Sequence, residues 1–243
     1  MGLKQISPDQ IIFWQKDFVV LNATIVYAWI VMAILVAASW FTSRRLTSGT
    51  DIPRLQNFLE VLVSTIRDEI RETSQDDPDK YMAFIATLFL FILTSNVLAV
   101  VPGFVPTTAS LSTTGALAIC VFLAVPIYGI QSQGIVNYLK QYIQPTVFML
   151  PFNIMGELSR TLALAVRLFG NMMSGTKIAA ILLAITPLIF PVVLQLLGLI
   201  TGVIQAYIFA ILAMVYIASG TKARRQKSEE REEKVKGENR EEK

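Results

Sequence analysis

The sequence predicts an all-α integral membrane protein with three transmembrane helices, a long and strongly tilted C-terminal helical hairpin, and a cytoplasmic surface helix. Three observations carry this reading. The chain of 243 residues is 53% hydrophobic and only 16% charged, with a mean hydropathy of +0.55, where an average soluble domain is about 25% charged. Between Met82 and Thr221 the charged residues are Lys140, Glu157, Arg160, Arg167 and Lys177 alone, and the rest crowd into the two flanks and one early loop. Several uncharged runs are also long enough to cross a bilayer core of about 30 Å at about 1.5 Å per helical residue.

Composition excludes several chemistries. The net charge of +3 and pI near 9.0 come from basic residues placed as membrane topology requires, with no basic patch interleaved with aromatics, so no nucleic-acid partner is expected. Cys120 is the single cysteine and lies in an apolar run, and there is no histidine. A disulfide framework, a thiolate or imidazole metal site and an imidazole proton shuttle are therefore not expected, nor is a cofactor. Residues 1–17 hold Lys4, Asp9, Lys16 and Asp17 without a basic n-region or a small-residue cleavage site. This stretch reads as an extracytoplasmic N-terminal segment and not as a cleaved signal.

The first span is residues 18–41, uncharged throughout and closed by Arg44-Arg45. Residues 42–80 form a cytoplasmic loop, in which Asp51-Ile-Pro opens a helix carrying Leu55, Phe58, Leu59, Leu62, Ile66 and Ile70 at helical spacing. Such a stripe suits a helix lying on the membrane or against a partner helix. Residues 82–101 and 111–130 are the second and third spans, divided by the Pro102-Gly-Phe-Val-Pro106 turn and the Ser/Thr-rich residues 107–114. A polar turn is expected over 129–140.

The positive-inside rule orients the chain. Arg44, Arg45, Lys140 and the Lys222, Arg224, Arg225 cluster are all cytoplasmic if the N-terminus lies outside and residues 146–221 enter the membrane and return as a hairpin. The two arms of that hairpin, turning at Pro187, would be about 60 and 50 Å long as helices, roughly twice a perpendicular crossing. They must tilt strongly, kink or lie partly along the membrane. The tail, residues 222–243, has nine basic and seven acidic residues and reads as a solvated or disordered cytoplasmic end. No internal repeat is evident, as a two-fold transporter would usually carry.

One arm of the hairpin carries a polar stripe. At about 100° per residue with Arg167 as zero, Asn153 falls at about 40°, Glu157 at about 80°, Arg160 at about 20°, Asn171 at about 40° and Ser174 at about −20°. This confinement keeps charge off the lipid side, where a charged side chain at the bilayer centre costs about 3 kcal/mol or more. Glu157 and Arg160 are i,i+3 neighbours and can pair, leaving Arg167 as the exposed cation. On the other arm Gly198, Gly202, Ala206 and Ala210 form a small-residue ridge that admits close helix approach, with Gln205 on the same side. Folding at Pro187 brings Gln205 to nearly the depth of Arg167, and an Arg167–Gln205 contact follows as an expectation. Blander roles remain open beside these. Glu157 and Arg160 suit a structural ion pair as well as an ion path; Asn153, Asn171 and Gln205 suit interhelical hydrogen bonding; Lys177 suits snorkelling.

The stretch Glu157-Leu-Ser-Arg-Thr-Leu-Ala-Leu-Ala-Val-Arg167-Leu-Phe-Gly-Asn-Met172, followed by Ile204-Gln205-Ala-Tyr-Ile-Phe-Ala-Ile-Leu and Val215-Tyr-Ile, resembles ATP synthase subunit a, the stator channel subunit of rotary F-type ATPases. A looser likeness runs over residues 89–118, with Asn96 and Pro106-Thr-Thr-Ala-Ser-Leu-Ser-Thr-Thr in the expected order, so that about two thirds of the chain is covered. The resemblance implies a bacterial inner-membrane protein whose hairpin wraps a rotating c-subunit ring. Arg167 matches the family's arginine, which faces the ring carboxylates, releases the ion from each arriving site and separates two offset half-channels. The resemblance further implies peripheral-stalk b subunits, other ATP synthase subunits and membrane lipid as partners, with residues 53–72 as the candidate stalk site. The candidate ion-translocation set is Arg167, which the resemblance supplies, with Gln205, Asn171, Glu157, Arg160 and Asn153 from the polar stripe and the facing arm. No nucleotide motif occurs, so the chain should not catalyse alone.

Departures from the family pattern bear on the ion. Many relatives carry a glutamate nine residues after the arginine, or an acidic residue or histidine seven before the glutamine; here these are Thr176 and Gly198. The usual proline after the basic residue at Arg160 is Thr161. A polar, weakly charged path of this kind would serve Na⁺ at least as well as H⁺ and resembles the N-type branch, for which ATP-driven Na⁺ export is proposed. Two other functions compete. A small secondary transporter or channel binding an anion at Arg167 would conduct as the purified chain alone, and a structural scaffold would tolerate loss of Arg167.

Overall fold

The structure, a computed structural model, describes residues 12–16, 19–44, 54–74, 77–101, 104–143, 148–185 and 190–241. The apolar runs become the helices α1 (Ala23–Arg44), α2 (Arg54–Ser74), α3 (Asp79–Leu98), α4 (Leu111–Gln133), α5 (Ile135–Ile143), α6 (Met149–Ile185) and α7 (Phe190–Glu241). A short antiparallel ribbon, β1 (Ile12–Lys16) with β2 (Val19–Asn22), precedes them, Lys16 opposite Val19 and Ile12 opposite Asn22. The uncharged run that begins at residue 18 is thus divided. Its β-branched start extends as β2, a conformation such residues favour, and the helix begins at Ala23.

Among the described residues four helices are long and apolar enough to cross a membrane, within Ala23–Phe41, Asp79–Leu98, Leu111–Ser132 and Val192–Gly220. The protein is an integral membrane protein. The 37-residue α6, about 55 Å long, is the helix that carries the polar stripe, and it packs antiparallel to α7. Helix α7 continues without interruption into the charged tail, to Glu241. The Asp51-Ile-Pro opening, the Pro102-Gly pair, the Pro187 corner and most of the N-terminal segment lie outside the described residues.

Packing centres on α7, which runs along α3, α4 and α6 and is crossed by α2. Its inner face repeats at i+3 and i+4 as Gly202, Ala206, Phe209, Ala210, Ala213 and Ile217, all buried. The ridge of small residues lets neighbours come close. A Cβ on Gly202 would stand 2.9 Å from Met172 Cε and 3.0 Å from Asn96 Cβ, so tight that the neighbours would have to shift. Leu164, Leu168 and Met172 form the matching inner stripe of α6.

Two connections depart from the sequence reading. The Ser/Thr-rich segment after Pro106, expected only as the break between the second and third spans, is packed inside: Pro106 to Ser110 are buried, with a 3-10 turn at Thr107–Ala109 lodged among α1, α3, α4 and α6. Burial is possible because its polar groups are matched. Ser95 and Thr107 share a hydroxyl hydrogen bond of 2.7 Å, the Thr107 N–H donates to Ser95 Oγ at 3.1 Å, and Thr108 donates to Asn96 Oδ1 at 2.7 Å. The expected polar turn over 129–140 is helical on both sides of Gly134, which takes φ +81 and donates to Ile130 O at 2.8 Å. That left-handed conformation admits glycine at no steric cost and stops α4.

Helix α2 is amphipathic, as the apolar spacing requires, and most of its described stripe is taken up inside this chain. Ile70 is buried against Tyr81 and Ile85, Leu62 and Ile66 are half-buried, and Tyr207 of α7 donates to Glu69 Oε1 at 2.7 Å. Arg67 and Asp79 pair across the α2–α3 junction at 2.6 Å. Val61 and Val63 stay exposed.

Candidate functional site

Residues on the two arms of the hairpin meet at a definite register. Asn171 Nδ2 donates to the Thr201 carbonyl at 3.5 Å, and antiparallel pairing then sets Arg167 and Gln205, each four residues further along, at the same level. They differ in surroundings. Arg167 points outward and is exposed, whereas Gln205 is 7% exposed and its Nε2 has no hydrogen-bond partner among the described residues. No Arg167–Gln205 hydrogen bond is formed among the described residues, so the expected contact is a shared level and not a bond. A buried amide left half unsatisfied is uncommon and marks a place where polarity is kept against packing.

Arg167 also heads an outward stripe of small side chains. Gly156, Arg160, Ala163, Arg167, Gly170 and Ser174 recur at spacings of four and three residues, and all are exposed. Within this chain a Cβ on Gly156 or Gly170 would meet nothing within 4 Å. The stripe is shallow and carries two guanidinium groups.

Two clefts flank that level. Toward the α6–α7 corner a cavity of about 360 Å³ is walled by α3, α6 and α7, with the polar side chains Asn96, Asn171, Ser174, Thr176, Gln195 and Thr201 among its lining residues and no ionisable group among them. Its hydroxyl groups donate to carbonyls of their own helices: Ser174 to Asn171, Thr176 to Met172 and Met173, and Thr201 to Leu197 and Gly198. What remains to them is acceptor capacity. Asn96 is engaged at both ends of its amide, donating to Gly202 O at 2.9 Å and accepting from Thr108.

Toward the other end lies a much smaller cleft of about 10 Å³, space for about one water centre. It is lined by Glu157, Arg160, Thr161, Tyr216 and Ser219, with α4 behind them. The Arg160 guanidinium carbon stands 5.8 Å from the Tyr216 ring centroid, at the outer range of a cation–π contact. Asn153 is half-buried one turn before Glu157. Arg167 is seven residues from Arg160 and seven from Ser174, about 10 Å along the helix from each.

Residues 25–218, which hold all of these features except Ser219, match a family model described as the ATP synthase A chain. The chain belongs to that family. Curated relatives agree at high identity. The chain is 59% identical over 216 residues to ATP synthase subunit a 2 of Acaryochloris marina, 89% of this chain and 92% of that one. It is 60% identical over 223 residues to ATP synthase subunit a 2 of Picosynechococcus, covering 92% and 96%. To ATP synthase subunit a of Albidiferax ferrireducens it is 57% identical over 225 residues, 93% and 97% of the two chains. Family membership makes it a membrane subunit of an ATP synthase, in the stator of the membrane sector, working with the other subunits of that complex.

Of the six residues read from the sequence, Asn171 lines the larger cavity, Glu157 and Arg160 line the smaller cleft, and Arg167 and Gln205 share the level between them. Sequence reasoning missed Gln195, Thr201 and Ser219. Gln195 was legible: on a helical wheel of α7 it falls at about 80° from Gln205, on the polar side. Thr201 and Ser219 were not, because a hydroxyl on an apolar helix reads as tolerated anywhere.

Proposed function

We propose that the two clefts are ion half-channels closed against a c-subunit ring, and that Arg167 divides them. The observation that carries this is the placement of one exposed guanidinium midway between two polar clefts, on an outward stripe of small residues. A neighbouring helix can approach such a stripe closely. A fixed guanidinium, charged at any pH, attracts a passing ring carboxylate and lowers its affinity for a cation, so the ion leaves on one side before the site loads from the other. Gln205 at the same level and Asn171 beside the cavity hold polarity on the inner side of Arg167. Glu157, Arg160 and Asn153 belong to the access at the opposite end.

The direction follows from the basic residues. The N-terminal side lies outside, the charged tail in the cytoplasm, the larger cavity opens outward and the Glu157 cleft inward. Each elementary charge crossing 100 mV is worth about 2.3 kcal/mol, which is what couples ring rotation to ATP chemistry elsewhere in the complex. Peripheral-stalk b subunits dock on the side of α2 that this chain leaves uncovered.

The ion is Na⁺, whose ATP-driven export is proposed for the N-type enzymes. Support comes from the larger cavity, whose neutral lining offers oxygen acceptors to a hydrated cation and no titrating group to a proton relay. A proton reading rests on Glu157, the carboxylate of the inner cleft. ATP-driven ²²Na⁺ uptake into proteoliposomes holding the whole complex decides between them, with a protonophore present and an Arg167→Gln complex as control. Uptake that survives the protonophore and vanishes in the variant is expected. Uptake that collapses with the protonophore while the wild type acidifies the lumen makes this a proton machine.

A further inference from the structure

Within the larger cavity one side chain stands apart from the others. Asn96, Asn171, Ser174, Thr176 and Thr201 each spend hydrogen-bonding capacity inside the chain. Gln195, exposed on α7 and lining the cavity, makes no hydrogen bond among the described residues. Both its carbonyl oxygen and its NH₂ group are therefore uncommitted. One helical turn further along, Gly198 also lines the cavity, and a Cβ there would meet nothing within 4 Å. The space beside Gln195 is open on the side that leads toward Thr201 and the level of Arg167.

We infer that Gln195 is an ion-binding contact at the mouth of the outer half-channel, where its amide oxygen takes the place of one water of an entering hydrated Na⁺. This rests on the reading of the cavity as an ion path. The physical reason is the division of labour around the cavity. Hydroxyls that already donate to helix carbonyls can accept but cannot swing freely, whereas a long amide without partners can follow the ion over several ångströms while remaining uncharged. An uncharged oxygen ligand also binds weakly enough to let the ion pass on to a ring carboxylate. The open space at Gly198 leaves room for the remaining hydration shell.

The test is ATP-driven ²²Na⁺ uptake by the intact complex in proteoliposomes, with NaCl varied and a protonophore present. Gln195→Leu is expected to raise the Na⁺ concentration for half-maximal uptake by about three- to tenfold, the span of one neutral polar contact, with the maximal rate within about twofold of wild type. Gln195→Glu is expected to lower that concentration. Moving the amide one turn along, in the double variant Gln195→Leu with Gly198→Gln, is expected to restore it at least in part. An unchanged half-saturating concentration in both single variants, while Arg167→Gln still abolishes uptake, overturns the inference and leaves the ion-path reading standing. So does a fall in maximal rate alone, which would mark Gln195 as a packing residue. Retention of coupled uptake by Arg167→Gln, or collapse of Na⁺ uptake with the protonophore, removes the underlying reading and Gln195's role with it.

Discussion

The two clefts beside Arg167 are unlike in size and in charge. The one toward the α6–α7 corner has a volume of about 360 Å³ and a neutral lining, whereas the one beside Tyr216 has about 10 Å³ and holds a carboxylate and a guanidinium. Both are built from the same pair of helices, on either side of Arg167 along α6. The difference arises in the neighbours. At the larger cavity the ridge ends at Gly198, whose side leaves open space, and Asn96 anchors α3 to Gly202 at a distance from the corner. At the smaller cleft α4 closes in, with Val121, Phe122 and Val125 against Tyr216 and Ser219. A roomy neutral vestibule admits an ion with its water. A tight charged cleft selects by electrostatics and passes fewer waters, because charges in a low dielectric act more strongly on one another than in water.

Removing the divider should break this asymmetry most severely. Arg167→Ala is expected to reduce coupled uptake by at least about 100-fold, since a fixed charge at low dielectric is worth several kcal/mol, and to raise passive Na⁺ leak through the assembled complex. Normal coupling with no leak would mean that the clefts are not two halves of one path. Next in size is Gly170→Leu, at a position where a Cβ meets nothing within 4 Å inside this chain. Subunit stability should be unchanged, while coupled uptake falls by about tenfold or more if a helix must pass within contact of that stripe; intact uptake would move the ring to another face.

Glu157→Gln sharpens the comparison from the charged side. It is expected to slow uptake by about three- to tenfold without altering the Na⁺ concentration for half-maximal uptake, because that concentration is set in the other cleft. A shift in half-saturation instead would place the loading site at Glu157. The smallest effect on transport is expected from Gly202→Ala, at the wall of the larger cavity. The added methyl group meets Met172 and Asn96, so overpacking should destabilise the folded subunit by about 1–3 kcal/mol, read as a lower thermal transition of the purified complex, with an uptake rate per folded complex close to wild type.

Much of the site was legible because it is periodic. The stripe through Asn153, Glu157, Arg160, Arg167 and Asn171 is a property of spacing on one helix, and the level shared by Arg167 and Gln205 follows from an antiparallel hairpin with arms of known length. Spacing permits a pair between Glu157 and Arg160, but it could not show that the Arg160 side chain also has Tyr216 of α7 within reach. The buried Pro106–Ser110 segment was equally out of reach. A run of Ser and Thr reads as a solvent loop until Ser95 and Asn96, on another helix, supply its hydrogen bonds.

By itself the sequence determined the spans, the surface helix, the polar stripe and the family, because hydropathy, helical period and motif spacing are local quantities that every residue carries wherever it is placed. The tertiary structure alone decided which neutral residues share a cavity, that Gln195 is the one left uncommitted in it, that Glu69 of α2 reaches Tyr207 of α7, and that the clefts differ so widely in volume. Those depend on where helices cross, on a methyl group absent at Gly202 and an open flank at Gly198. Crossing geometry is set by the summed shape of residues far apart in the chain, and no local pattern encodes it.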